Sequence, residues 1–482
     1  MPVYSSSITA DNIAQLSIAW EFKTHSYVTA QPLVLKDRVY ASDWAGYIYC
    51  IDAHTGSLVY EKRLYVPPTP NPLLRGIPVL GKFLGEPLPY LWYGFAGTGC
   101  ISDGVWYLAS VGGQKGGLLT SGKAGKLYAV KPESGQVLWS KTLAIRPYAG
   151  SLAVPTCDAA NVYAATCSID ETASTIYQIL RKPFHAECVG EVFCFEKKSG
   201  QRQWSVKTTA LDPTAEKGVN GAGVWGGLQL GPSGANLLFA TGNTYEKPVS
   251  KVSDSVVSIQ AKDGSLNWMF QAVADDAWIP TKKEGPDFDF GCTPIVFPCT
   301  RASNRLAAGA GNKNGYFYAL DEKNGKLLWK TFCHRDSTPD DGIRSNATYL
   351  DGRLYVWSKN ETPKRTMSVC CLDAESGELL WCKNTQGTNA MTTGGITNDL
   401  YLLATYAGDL FALDTATGEQ VWSLHLGKCS VGSNLTIQEN AVYCGTGVPQ
   451  LYGGYPKRYG VFKVSVSGGR GSAKLGSQAY SV

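Results

Sequence analysis

Fourteen cysteines are the most reactive side chains in this sequence of 482 residues, and their spacing shows which chemistry they do not carry. None stands in a C-x-x-C or C-x-x-C-H pattern, so the chain encodes neither a zinc ribbon nor a covalently attached c-type haem. The even count leans towards an oxidising compartment, yet Cys50, Cys194 and Cys371 fall inside strands of a repeat and are expected to be buried, inert thiols. Sequons at Asn346, Asn360 and Asn434 are about what chance supplies in a chain this long, and support secretion only weakly. A net charge of +4 without a long Lys/Arg run gives no electrostatic footprint for nucleic acid. No stretch approaches the ~18 apolar residues of a membrane span, and the first residues show no charged segment leading into an apolar one. The other chemistry-bearing residues are single Asp, Asn, Glu, Lys and Trp side chains in the segments between repeats. A lone loop Asp is usually a turn residue and a lone Lys is usually solvated, so their meaning depends on the elements that carry them.

Those elements are short strands. Apolar residues make up 44% of the chain, with 53 Gly, 26 Tyr and 13 Trp, a composition suited to many strands joined by tight turns. Seven segments, 46–60, 125–139, 190–204, 255–268, 315–329, 368–381 and 408–422, repeat one pattern. An apolar strand runs into a polar turn ending in Gly, and a second strand then opens towards an aromatic residue four positions on. Each reads as a β-hairpin in which an Asp or Glu bonds back to the turn backbone and Gly supplies a positive φ. The spacing between turn glycines falls from 79 residues (Gly56 to Gly135) to 41 (Gly377 to Gly418), and the shortest matches the ~40–45 residues of a four-stranded propeller blade. An eighth copy is split across the chain: 460–466 supplies one strand and the segment around Trp20 the next. The expectation is an all-β, eight-bladed β-propeller over residues 1–466, closed by pairing of its N- and C-terminal strands. The repeat aromatics Trp20, Trp139, Trp204, Trp268, Trp329, Trp381 and Trp422 are expected to pack between blades. The Pro-rich apolar segment 66–95 reads as a loop insertion over one end of the ring, and 467–482 has the composition of a disordered tail.

The repeat, with the inter-repeat stretches GAGVWGG (221–227), ATGNTYEKP (240–248), GPDFDFGCTP (285–294), GNKNGYFYALD (311–321) and the N-terminal ITADNIAQLSIAWEF (8–22), resembles the quinoprotein alcohol dehydrogenases, in particular their polyvinyl-alcohol-dehydrogenase-like branch. The resemblance implies pyrroloquinoline quinone (PQQ) and a calcium ion on the propeller axis. Carried over residue by residue, it makes Trp225 the platform on which the quinone stacks, and Lys313 and Ser168 further cofactor contacts. It makes Glu171, Asn243 and Asp289 the calcium ligands, oxygen donors that suit a hard cation, and Asp289 also the base that takes the alcohol proton as hydride passes to the quinone. The implied reaction turns a small-molecule alcohol into an aldehyde or ketone and passes electrons to an external acceptor. Because such proteins usually carry a leader before the stretch that begins here at Tyr4, a secreted or periplasmic location follows if a signal was removed, and a cytoplasmic one otherwise.

The sequence also departs from that pattern. Thr98-Gly99-Cys100 stands where an Arg contacting the quinone carboxylates is expected, and the vicinal disulfide of some relatives has no counterpart there. Cys370 and Cys371 are adjacent but lie in a strand, where their side chains point to opposite faces. A Trp expected near 343–347 is missing. Two other readings therefore stand beside the first: a PQQ-free cyclase- or isomerase-type enzyme of secondary metabolism using the axial pocket, and a non-catalytic interaction propeller.

Overall fold

The computed structural model describes residues 6–66, 94–112, 124–144, 148–168, 170–299, 305–335, 337–339, 342–387, 392–397, 399–448 and 458–466. The 467–482 tail and nearly all of the 66–95 insertion lie outside these residues. Each repeat builds the third and fourth strands of an antiparallel sheet, and eight such sheets follow one another along the chain. Blade 1 begins with Leu33–Leu35, Arg38–Ser42, Tyr47–Asp52 and Leu58–Arg63. Blades 2 to 7 follow the same order, ending with Gly395–Ile396, Leu400–Ala404, Asp409–Asp414 and Gln420–His425 in blade 7. Blade 8 takes Thr436–Gln438, Ala441–Thr446 and Gly460–Val466 from one part of the chain and Leu16–Lys23 from the other, in the order the split repeat predicts. Leu16 pairs with Val466 and Lys23 with Gly460, with a bulge between Ile18 and Trp20.

The Gly-to-Trp spacing has a physical cause beyond turn geometry. In blade 7 the turn glycine Gly418 has φ +72°, and a Cβ there would lie 2.6 Å from Trp381 of blade 6. Trp381 Nε1 donates to Thr415 O in that same turn at 3.1 Å. Trp20, Trp139, Trp204 and Trp268 make the equivalent bond to the turn of the following blade, and Tyr60 donates its hydroxyl to Pro132 O. Each aromatic is thus clamped flat on its neighbour's glycine, and a side chain at that glycine would meet both a backbone penalty and a ring. Trp329 keeps the stacking on Gly377, but among the described residues its Nε1 makes no such bond to the neighbouring turn.

Apolar residues of the middle strands fill the spaces between blades, as in the cluster of Val39, Ala41, Tyr49 and Ile51 with Ala441, Tyr443 and Val461. Cys50, Cys194 and Cys371 are buried free thiols, pushed up to about 11, 12 and 11 by burial, as inert core cysteines should be. Cys370 turns to the opposite face and forms a disulfide with Cys382, its cross-strand partner. Two of the three sequons prove to be structural clasps. Asn346 Oδ1 accepts the Thr293 N–H of the preceding blade at 2.7 Å, and Asn434 Oδ1 accepts that of Thr393 at 2.7 Å. Asn360, the third, is buried and donates to Thr366 Oγ1. The α-helix Asp170–Ile179 interrupts blade 3 between its strands Asn161–Ser168 and Glu191–Glu196, a feature the strand pattern does not announce. Among the described residues no helix is long and apolar enough to cross a membrane.

Candidate active site

Alternating strand direction sorts the loops between the two ends of the ring. The repeat turns join third to fourth strands at one end; loops joining second to third strands, and one blade to the next, gather at the other. Trp225, Asp289 and Arg344 lie in blade-to-blade connections, whereas Glu171, Asn243 and Lys313 lie between second and third strands. They therefore share one end. There a cavity of about 160 Å³ is lined by residues from all eight blades, from Gln31 beside blade 1 round to Asn434 beside blade 8, which places it on the axis.

Trp225 forms part of its wall. The indole lies directly on Gly291, where a Cβ would sit 2.3 Å from Trp225 Cη2. Trp225 Nε1 donates to Asp289 Oδ2 at 3.2 Å, and Gly242 leaves room for this pair, since a Cβ there would approach Asp289 Oδ2 to 3.0 Å. Asp289 is held from both sides of its loop. Phe288 N donates to Asp276 Oδ2, Asn312 Nδ2 donates to Phe288 O, Lys313 N donates to Asp289 O, and Phe290 N donates to Thr241 O.

Lys313 is almost wholly buried, with Nζ 2.7 Å from Asp289 Oδ1, 2.8 Å from Asp287 Oδ1 and 5.6 Å from the centre of the Trp225 ring. Burial draws the lysine down, but the carboxylates of Asp289, Asp287 and Glu171 outweigh it and hold the ammonium charged well above the ordinary lysine value. One ammonium thus faces two aspartates. Burial pushes the Asp287 carboxyl above the ordinary range against the pull of Lys313, and Asp289 and Glu171 add to the rise. Beneath them Asp254 is fully buried, and neither of its oxygens meets a hydrogen-bond partner among the described residues. Burial, then Asp276 and Asp289, push it far above the usual carboxylate range.

Of the residues predicted from sequence, Trp225, Asp289 and Lys313 make direct contact. Glu171, at the start of the blade 3 helix, is close enough for its charge to act on Lys313 and Asp287. Ser168 donates instead to the hydroxyl of Tyr245 at 2.8 Å. Asn243 is buried, its NH₂ donating to Thr244 O and Trp278 O. Among the described residues no three His, Cys, Asp or Glu side chains come together so as to hold a metal ion.

The sequence reading passes over Asp287, Asp254 and Arg344. The D-F-D spacing is the one signal that could have flagged Asp287. Arg344 stands in the segment noted only for a missing Trp, yet it lines the axial cavity, as does Thr98, the position where an Arg is expected and absent.

Residues 181–342 match the family model described as the β-propeller domain of glucose/ethanol/alcohol dehydrogenases, and 313–455 match that of the outer membrane protein assembly factor BamB. A polyvinylalcohol dehydrogenase of Pseudomonas sp. is 24% identical over 67% of this chain, and the chain spans only 47% of that relative's length. The quinoprotein alcohol dehydrogenase PedH of Pseudomonas putida is 22% identical over 91% of this chain and 75% of its own. Among solved structures, the quinohemoprotein alcohol dehydrogenase ADHIIG of Pseudomonas putida HK5 superposes with a TM-score of 0.69 at 17% identity, covering 100% of this chain and 80% of its own. With an eight-bladed ring and a Trp–Asp–Lys cluster at its axis, the chain is similar to the PQQ-dependent alcohol dehydrogenase-like family.

Proposed function

We propose that this chain oxidises an alcohol to an aldehyde or ketone at the ring axis with PQQ as its oxidant, and hands the electrons to an external acceptor. The observation that carries the reading is the Trp225 indole laid on Gly291 in the cavity wall, with Asp289 bonded to its Nε1 and to Lys313. A planar anionic ring fits these residues: the indole offers a flat face, Gly291 and Gly226 keep the wall free of side-chain bulk, and Arg344 supplies positive charge. When bound, the quinone would supply the two-electron oxidation. The chain's own part is to stack the ring on Trp225 and to accept the alcohol's hydroxyl proton on the Asp289 carboxylate. The Lys313 ammonium keeps that carboxylate in place before the proton arrives.

Calcium fits less well. Glu171, Asn243 and Asp289 have the oxygen donors a hard cation takes. In this arrangement, however, Asp287 and Asp289 are closed on Lys313, and among the described residues no three acidic side chains come together as a cage. No step here is routed through a metal.

The purified chain, incubated with PQQ with and without Ca²⁺, is expected to retain quinone absorbance through gel filtration and to reduce a dye when an alcohol is added. Absence of retained quinone at saturating PQQ under both conditions would overturn the proposal in favour of a quinone-free pocket.

A further inference from the structure

Two partly exposed thiols face each other across the seam between blades 2 and 3. Cys100 and Cys157 have their sulfurs 2.9 Å apart, although 57 residues separate them in the chain. They lie in Cys100–Ser102 and Thr156–Cys157, the first strands of the two blades. The contact is held from both ends of those strands. On the cavity side, Gly97 packs so closely on the next blade that a Cβ there would sit 3.1 Å from Leu152 O. At the other end the buried Lys197 reaches across both blades: its Nζ donates to Ser102 Oγ at 2.8 Å and to Asp158 O at 2.9 Å, and pairs with Asp103. The sulfurs are thus positioned by backbone packing and by a clasp that neither thiol makes itself. A disulfide, at about 2.05 Å, needs them only to close on each other. Cys50, Cys194 and Cys371, by contrast, are enclosed in core strands.

We infer that Cys100 and Cys157 are a redox modification site, a dithiol that a small-molecule disulfide oxidises to a bond stapling blade 2 to blade 3. One sulfur, as thiolate, attacks the disulfide RS–SR, forming a mixed disulfide and releasing RS⁻. The second sulfur then attacks the protein sulfur of that mixed disulfide and expels the other RS⁻. In total the two thiols give up two electrons and two protons, and one RS–SR becomes two RSH. The order of attack follows from the contact. The Cys157 thiol is held well above the ordinary range, first by its hydrogen bond to Cys100 and then by burial, while Lys197 pulls it back. Cys100 therefore attacks first. Once its sulfur is in the mixed disulfide the leading cause of that rise is gone, which frees Cys157 to follow. The bond pins together the segments that carry Thr98 and Val154, both on the wall of the axial cavity, and it stands independently of the quinone reading.

Peptide mapping tests this. The purified full chain is reduced with dithiothreitol, exposed to graded oxidised glutathione, then denatured with N-ethylmaleimide present and digested for mass spectrometry. A linked peptide pair joining Cys100 to Cys157 is expected at glutathione ratios that leave Cys50, Cys194 and Cys371 alkylated, and it should vanish when dithiothreitol is restored. Oxidation should also raise the melting temperature by roughly 3–8 °C, because the bond closes a long loop. Cys100→Ser and Cys157→Ser, which keep the Cys370–Cys382 pair, should each abolish the linked peptides and that rise. If either serine variant fails to fold, the wild-type peptide map decides by itself. Glutathione retained on Cys100 or Cys157 without a linked pair, or a linked pair that forms only after the core thiols have reacted, would overturn the inference. So would a linked pair whose formation leaves the melting temperature no higher than in the serine variants.

Discussion

Asp289 has one oxygen on an indole N–H and the other on a buried ammonium, so its carboxylate is fixed without being exposed. If it takes the substrate proton, Asp289→Asn should keep the cavity's shape and its quinone while slowing alcohol-dependent dye reduction by about 10²- to 10⁴-fold, the usual yield of a placed general base. Loss of quinone retention in that variant would show a structural role instead. Trp225, Asp289 and Lys313 were legible because each is embedded in a distinctive local string. Asp287 and Arg344 were not, since their roles depend on what the fold brings near them: Asp287 meets Lys313 through a backbone turn with φ +63°. His334 makes a similar point away from the axis. It is buried between Ser337 and Ser358, and burial pushes it down to about 4 from the ordinary 6.5. Its native pKa lies below its unfolded one, so the stability tied to its neutral form is complete above pH 6.5 and is lost as pH falls towards about 4. The total is roughly 3 kcal/mol at most. Chemical denaturation from pH 8 to 4 should therefore show a steeper acid loss in wild type than in His334→Gln, and parallel curves would refute the assignment.

At the scale of the element, the repeat spells out its own assembly. The turn glycine and the aromatic four residues on do not chiefly serve each other; each serves the adjacent blade, as Gly418 and Trp381 show. Two glycines separate the conformational cost from the packing cost. Gly234 has φ +70° with nothing within 4 Å of a built Cβ, while Gly418 has φ +72° and a Trp ring at 2.6 Å. Gly234→Ala should cost about 1–2 kcal/mol, the left-handed penalty alone. Gly418→Ala should cost about 1–3 kcal/mol more from overpacking, measurable as a larger shift in the urea midpoint. Similar losses at both sites would mean that the ring moves aside freely. The sequence carried this layer well because turn residues and alternating strands are local signals. It did not announce the clasps made by Asn346 and Asn434, because the N–H groups they accept lie 53 and 41 residues away in the chain.

For the molecule as a whole, the axial cavity exists only while the ring is closed, since residues from every blade line it. Closure depends on blade 8, where Leu16–Lys23 covers the edge of Gly460–Val466. Three further contacts support that seam. Trp20 Nε1 and Lys463 Nζ both donate to Ala53 O in blade 1, and Arg458 forks onto both oxygens of Glu21 while donating to Leu426 O beside blade 7. The Arg458–Glu21 pair is partly exposed, so by itself it is worth no more than about 1 kcal/mol; the strand pairing dominates. Deleting residues 1–23 would leave Gly460–Val466 as an open, apolar sheet edge and remove Trp20 from the glycine of the blade 1 turn. The expected outcome is a chain that self-associates on gel filtration and loses PQQ binding, although its other seven blades are covalently intact. Supplying the 1–23 segment as a separate peptide should restore both properties in part, because the seam is held by hydrogen bonds and burial and not by a covalent link. A truncated chain that stays monomeric and binds the quinone normally would show that seven blades close the axis unaided, and the split eighth repeat would then need another explanation.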